Sequence, residues 1–347
     1  MNNLKKYQRL ICTPNTGCPV LGVHISFACT AVLLLVAVAV CLLAGAIWSR
    51  WENHIYLPTY FTKIDDQYFI VDAGHYRVLY SDDVKKPIFR WKTLDTDFYN
   101  PHSLAGYDGT LVADDTLNSR LKVYRRQGDD WTLSQIIPIA DSGYPHFTAY
   151  DVDYGGYYVL DGRNDRMYVL RDNGTSVEIE KIVQLPDVTG YVRSFSILDG
   201  YLYVTAGIGS ESIVQLDYRH DWAVVDKYYV PEEVRGMNAL CRIGDFYYLT
   251  ANTDAAWNPA PYIVRTNDLH HIDVAQRETV TNAVPYYFSK VDGKYYLTAY
   301  EDFTTYDENA IIELDSQEDG TLQAAGYVYF QRGHVSASDE VYRSKQS

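Results

Sequence analysis

The sequence predicts an all-β protein: a six-bladed β-propeller of four-stranded blades, preceded by one N-terminal transmembrane helix. Three observations predict it. An uncharged apolar run stands near the N-terminus, a unit of about 45 residues recurs six times after it, and each unit alternates apolar and polar residues between tight-turn pairs.

The N-terminal element comes first. Ile25 to Trp48, "ISFACTAVLLLVAVAVCLLAGAIW", contains no charged residue. About 20 apolar residues suffice to cross a bilayer as a helix. Lys5, Lys6 and Arg9 precede it, and 1–50 holds no acidic residue. The positive-inside bias then keeps the N-terminus cytoplasmic and exports the rest. The alternative is a cleaved signal peptide, with "AGA" at 44–46 as its cleavage site. The expected division is a short cytoplasmic segment at 1–24, a signal anchor at 25–48, a propeller at 51–331 and a polar tail at 332–347.

The charge divides at the same place. The whole chain carries −15 and residues 1–50 contribute +4, so the remainder carries −19. An exterior so acidic argues against nucleic acid as a partner. Of five cysteines, only Cys241 lies beyond residue 50, so the exported part has no internal disulfide and is held by packing alone. Cys12 and Cys18 form a pair with no third metal ligand beside them.

The repeated units start at 58, 101, 145, 192, 234 and 284. Each runs through an alternating strand, a turn with Asp or Gly, a second apolar strand, a polar loop and a third strand. A fourth follows in most, as in "DDWTLSQIIPI" and "TSVEIEKIVQL". Asp-Gly at 108–109, 199–200 and 292–293 marks two-residue hairpins. A four-stranded sheet covers neither of its faces alone, so six such sheets bury themselves by stacking radially. A β-sandwich, the other all-β solution, does not call for six copies of one unit. The 33 tyrosines suit half-buried strand surfaces.

Within the units "D-x-x-N-x-R" recurs, as Asp115–Asn118–Arg120 and Asp161–Asn164–Arg166, with Asp72, His75 and Arg77 as a variant. The Asn or His is expected at a turn position of positive φ, with the Arg forking onto carbonyls or the Asp. These residues resemble the hairpin of NHL-repeat propellers. The resemblance is clear over 58–171 and fades beyond, where "TAGIGSESIVQL" has lost both Asn and Arg. The stretch "PHSLA…LVADDTLNSRLKVY" resembles a blade of the peptidyl-hydroxyglycine lyases, NHL-type propellers whose inner-strand histidines hold a catalytic zinc. That resemblance implies His102 as a metal ligand, with His146 as its counterpart one blade on. The sequence departs from the family in drawing its two histidines from adjacent blades and in heading no other inner strand with histidine.

A site is expected where the inner strands begin, at the mouth of the central channel. Their heads are Tyr60, His102, His146, Arg193, Asn238, Tyr286 and Tyr287. Asp72, Asp114, Asp115, Asp161 and Asn252 end second strands, and Trp257, Phe303 and Tyr306 lie on two long loops. Two functions follow. One is an extracytoplasmic binding or interaction module, anchored to the membrane by its N-terminal helix and taking a small molecule, glycan, peptide or protein through Tyr60, His102, His146, Arg193, Asn238, Tyr286 and Trp257. The other is a metal-assisted lyase or hydrolase. In it His102 and His146 bind a divalent ion, zinc or calcium, Arg193 steadies an anion, and Tyr60 or Tyr287 moves a proton. No G-x-S-x-G occurs, and "GIGSES" at 207–212 lacks the strand-to-helix setting of a phosphate loop.

Overall fold

The computed structural model describes residues 19–48, 53–208, 212–253, 259–302 and 306–333. They belong to two compact units, 1–50 and 51–347. The first unit is one helix, Pro19–Trp48. Its described side chains run over 30–43 with residue 45, and Leu33, Leu35 and Leu42 among them are exposed. Among the described residues, no helix is long and apolar enough to cross a membrane. The transmembrane span expected at 25–48 falls on this helix, and its crossing of a membrane is not supported. Cys12 and Cys18 lie outside the described residues.

In the second unit the chain forms six antiparallel four-stranded sheets, each from four consecutive strands. They occupy 58–95, 104–138, 145–184, 191–229, 235–278 and 284–332. Successive inner strands touch, and that of blade 6, Val284–Val291, returns to that of blade 1, Pro58–Ile64. Among the described residues no strand is exchanged between the first and last blades. The ring closes instead through the segment before blade 1, where the Ile55 amide donates to the Tyr329 hydroxyl (3.0 Å) and the Leu57 amide to Asn309 Oδ1 (3.1 Å).

The turns follow their sequence. Asp108 and Gly109 have φ of 49° and 71°, and Asp292 and Gly293 have 49° and 80°. Two consecutive positive φ values are the mark of a type I′ hairpin. Apolar faces meet between blades. Phe69, Val71 and Val78 of blade 1 pack on Leu111, Tyr124 and Trp131 of blade 2, and Phe61, Ile70 and Leu79 pack on Val291, Tyr296 and Ile311 of blade 6. Buried tyrosines need partners for their hydroxyls, and several find them one blade away. Tyr157 donates to the Thr110 carbonyl (3.0 Å) and Tyr248 to that of Gly320 (2.6 Å).

The D-x-x-N-x-R element is a clamp at the end of the second strand in blades 1 to 3, though in blade 3 Arg166 pairs with Asp141 and Tyr168 takes its place on Asp161. Asp115 accepts from the Tyr99 amide (2.6 Å), Asn118 Nδ2 (3.0 Å) and Arg120 Nε (2.6 Å). Asp72 takes the Tyr56 amide, His75 Nδ1 and Arg77 Nε in the same way. The positive φ expected at the Asn or His falls one residue later, at Tyr76 (55°), Ser119 (50°) and Asp165 (49°). The reason is that the Asn or His side chain is spent on the Asp, and the turn is completed by the residue after it. Asp72, Asp115 and Asp161 are thereby structural groups, saturated with donors.

One irregularity recurs at the inner-strand heads. The ladder to the second strand skips a residue between Pro58 and Tyr60, Pro145 and Phe147, Val192 and Ser194, and Met237 and Ala239, and skips two between Pro285 and Phe288. The extra residues are Thr59, His146, Arg193, Asn238 and the pair Tyr286–Tyr287. A bulge takes its extra residue out of the ladder and turns its side chain. It also leaves backbone groups without their ladder partners, and at each head the neighbouring blade supplies a bond. Thr59 Oγ1 donates to the Pro101 carbonyl (3.4 Å), the Thr148 amide to Ser103 Oγ (2.6 Å), and His146 Nδ1 lies 2.8 Å from the Arg193 carbonyl. Ser194 Oγ donates to the Asn238 carbonyl (2.6 Å), Thr250 Oγ1 to that of Tyr286 (2.8 Å), and Thr298 Oγ1 to that of Thr59 (2.9 Å). These six bonds join blade to blade around the whole circle.

A Thr298→Val change removes one of these bonds at nearly constant volume and strands a buried carbonyl. We expect a loss of about 1–3 kcal/mol in urea unfolding. The same change at exposed Thr132 is expected to stay within about 0.5 kcal/mol.

Candidate functional site

The bulges of five blades, with His102 just ahead of the regular inner strand of blade 2, bring side chains from all six blades to the axis. Tyr287 crosses from blade 6, its hydroxyl 2.7 Å from the Arg193 carbonyl and 2.8 Å from His146 Nδ1. Its ring lies 4.9 Å from that of Phe147, which packs at 5.3 Å on Phe195 and at 5.6 Å on Tyr60. Tyr60, Phe147, Phe195 and Tyr287 thus plug the channel with aromatic rings. Tyr60, expected to line the mouth and to move protons, belongs to this plug. Thr59, not Tyr60, is the bulged residue, so the Tyr60 side chain falls on the plug side, and burial pushes its hydroxyl up to about 12. Burial also raises Tyr286 and Tyr287 well above the ordinary tyrosine range. A hydroxyl so reluctant to ionise is a poor proton carrier near neutral pH.

Beside the plug, His102 and His146 stack face to face, centroids 3.8 Å apart and planes 28° apart. Burial, with the Arg193 charge adding to it, drives His102 down to about 3. Burial drives His146 well below its ordinary value, with His102 and Arg193 contributing. Both rings are neutral at physiological pH. His102 Nδ1 lies 2.9 Å from Thr116 Oγ1. The neighbouring Asp114 accepts from the His102 and Ser103 amides (2.6 and 2.8 Å) and Ser103 Oγ (2.6 Å), yet burial outweighs these donors and raises its carboxyl to about 8.

The histidine pair does not fit the zinc site that the lyase resemblance implies. Imidazole lone pairs lie in the ring plane, and a zinc must sit about 2.0–2.1 Å from each coordinating nitrogen. Two rings stacked face to face send their lone pairs along nearly parallel planes, which do not meet at one such point. His146 Nδ1 is also engaged in the blade-to-blade circle. Among the described residues, no group of three or more His, Cys, Asp or Glu side chains could hold a metal ion. His146 Nε2 is buried without a partner.

Arg193 is the charged centre of the mouth. Its Nη1 bonds to Asn238 Oδ1 and, at 3.5 Å, to the Gly236 carbonyl. Asn238 is itself held by Nδ2 donating to the Pro285 carbonyl (2.8 Å). Burial works against the Arg193 charge and Tyr191, Tyr286 and Tyr300 act the other way, with the net direction upward, and a guanidinium is too basic to lose its proton there. Among the described residues no carboxylate pairs with it, whereas Arg77, Arg120, Arg125, Arg171 and Arg219 all have one. A guanidinium offers five donors. Most of those on Arg193 have no protein partner among the described residues, and the side chain keeps part of its surface accessible.

Of the expected site residues, His102, His146, Arg193, Asn238, Tyr286 and Tyr287 do converge. Trp257 and Phe303 lie outside the described residues. Three tyrosines were not foreseen. Tyr191 lies under the Arg193 guanidinium (5.5 Å), Tyr144 lies 5.7 Å from His146, and Tyr300 lies 5.4 Å from Tyr286. Tyr300 closes a second strand, a position that could have been counted with Asn252. Tyr191 and Tyr144 each stand two residues before a bulged residue, and nothing in the sequence marks where the bulge falls.

No family model matches the chain, and no curated protein sequence matches it. Solved structures do. A protein from Lactobacillus plantarum aligns with a TM-score of 0.56 at 14% identity, over 80% of this chain and 86% of its own. A candidate 6-phosphogluconolactonase from Bacteroides fragilis aligns at 0.57 and 13%, over 80% and 87%. The periplasmic gluconolactonase of Pseudomonas aeruginosa aligns at 0.55 and 13%, over 81% and 90%. Identities this low show a shared propeller fold and nothing finer.

The histidine pair makes stability depend on pH. A histidine depressed in the folded state binds its proton only on unfolding, so its contribution is lost as pH falls from about 6.5 toward about 3. The raised Asp114 acts in the opposite sense between about 4 and 8, and it does so in any His102 variant. We expect His102→Gln to recover roughly 2 kcal/mol relative to the parent on going from pH 7 to pH 5, read by urea unfolding at both.

Proposed function

We propose that the protein is a membrane-anchored, extracytoplasmic ligand-binding module that takes a small anionic ligand, one bearing a carboxylate or phosphate, at the channel mouth. The observation that carries this reading is Arg193, a protonated guanidinium with free donors and no carboxylate partner among the described residues, in a domain that is otherwise acidic. A cation in such a place gains most from an anion that presents two oxygens to its fork. The plug beneath it keeps the ligand at the mouth, and Tyr191, Tyr286 and Tyr300 offer rings and hydroxyls around it. The lactonase names of two structural neighbours agree with a sugar-acid ligand, since a lactone opens to a carboxylate. A likeness to NHL-repeat propellers rests on the D-x-x-N-x-R clamps of blades 1–3. The metal-assisted lyase or hydrolase alternative finds no ligand set in the stacked histidines.

Calorimetric titration of the full chain in mild detergent with gluconate and with inorganic phosphate tests the reading. Binding of at least one, weakened about tenfold or more by Arg193→Gln and unchanged by Thr132→Val, is the expected result. Heat from neither anion, or the same affinity in Arg193→Gln, would overturn it. Anchoring is tested separately. If the uncharged run at 25–48 spans the membrane, the chain stays in the membrane pellet after alkaline carbonate extraction, and release to the supernatant would refute the anchor.

A further inference from the structure

The opposite face of the propeller carries the hairpins that join first to second strands, and two clefts open there between blades. The first lies between blades 2 and 3, has a volume of about 430 Å³, and is lined by Tyr107, Thr110, Arg125, Tyr150, Tyr157 and Asp172 among others. Tyr107 is half exposed and stacks flat on Tyr150, 4.7 Å away with planes 10° apart. One face of Tyr107 is therefore covered and its exposure lies on the rest of the ring. Beside it Arg125 grips Asp172 with two parallel bonds, of 2.6 and 2.7 Å, and Thr110 Oγ1 donates to the same carboxylate.

The second cleft lies between blades 3 and 4 and measures about 290 Å³. Its aromatic wall is Tyr154, Tyr158, Tyr218 and Trp222. Tyr154 is exposed, and its hydroxyl donates to the Arg219 carbonyl (2.8 Å). Arg171 is paired with Glu180 (2.6 Å), and Arg219 with Asp151 and Asp153 (3.3 Å each). Trp222 is held at φ of 64°, a backbone region that bulky side chains rarely occupy. Its ring, 6.2 Å from both Tyr158 and Tyr218, is thereby kept in the wall. The two clefts are neighbours, divided by the hairpin at 152–155, with Gly155 lining one and Tyr154 the other.

We propose that these two clefts form one binding face for a neutral polysaccharide chain, each cleft taking about one sugar unit with the hairpin at 152–155 between them. A pyranose ring has an apolar C–H face and a rim of hydroxyls that both donate and accept. For the C–H face the first cleft presents the uncovered side of Tyr107, and the second presents the exposed part of Tyr154, whose ring packs against the Arg171 and Arg219 guanidiniums (5.5 and 6.0 Å). For the hydroxyl rim both present arginine–carboxylate forks. The forks matter to the choice of ligand. Because Arg125, Arg171 and Arg219 are already paired with carboxylates, neither cleft presents an unpaired guanidinium to select an anion, and Asp108 and Lys181 add only one charge to each lining. This separates the face from the channel mouth, where Arg193 stands alone. Clefts of this size that mix aromatic walls with a few fixed polar groups are the usual form of small-ligand sites.

Affinity electrophoresis of the full chain in mild detergent tests the proposal, with native gels cast with dextran, galactomannan or hydroxyethylcellulose. At least one polymer is expected to retard the chain relative to a gel without polymer. The Tyr107→Ala/Tyr154→Ala double variant should raise the apparent dissociation constant about tenfold. Tyr107→Phe/Tyr154→Phe, which keeps both rings, should retain most of the retardation, and Arg193→Gln should retain all of it. No retardation by any of the three polymers, or retardation untouched by the double alanine variant, would overturn the proposal and leave the anion reading of the channel standing.

Discussion

The circle of bonds from one inner-strand head to the next is the constraint on which the rest depends. Each blade is closed within itself, and among the described residues no strand is shared between blade 6 and blade 1. The apolar contacts between blade faces are strong but have little direction. What sets each blade's height and rotation at the axis is a short polar bond: Thr298 to Thr59, Thr59 to Pro101, Ser194 to Asn238, Thr250 to Tyr286, with Thr148 and His146 completing the set. The bonds exist because the strands bulge there, and the bulge is what takes a side chain out of the ladder and presents it to the channel. Architecture and site thus share one device. His146 shows the sharing most plainly, since its ring does for blades 3 and 4 what a serine or threonine hydroxyl does elsewhere.

Electrostatics separates the two faces of the ring. At the channel mouth the low polarity of the aromatic plug holds His102 and His146 neutral and raises Asp114, so the local field belongs to Arg193. A single cation among neutral groups is felt strongly where water is scarce. On the opposite face the arginines are balanced by Asp172, Glu180, Asp151 and Asp153, and aromatic surface with neutral polar forks remains. The domain carries −19 overall, but that number describes neither face. Its excess of carboxylates is distributed over solvated turns and over clamps: Asp72 and Asp115 are met by backbone amides and arginines, and Asp161 by amides, Asn164 and Tyr168.

The amino-acid sequence by itself determined the blade count, the strand order and the hairpins. Those depend on local patterns: Asp-Gly pairs that demand two positive φ values, alternation that hides one side of a strand, and a unit that cannot bury itself alone. It also named most of the residues that meet at the mouth, because strand heads lie one unit apart and the chain reads them off in turn. Tertiary structure decided the rest. A bulge of one residue moves Tyr60 from the mouth into the plug, turns two histidines face to face where a metal would need them edge to edge, and sets Tyr191 under Arg193. Packing of neighbouring blades also brings Tyr107 to Tyr150 and Tyr154 beside Arg219 across boundaries that no local pattern reports. The physical reason is that each of these placements is set by the neighbouring blade, about 45 residues away in the chain: it supplies the partner for the carbonyls freed where a strand bulges, and the ring against which a hairpin packs.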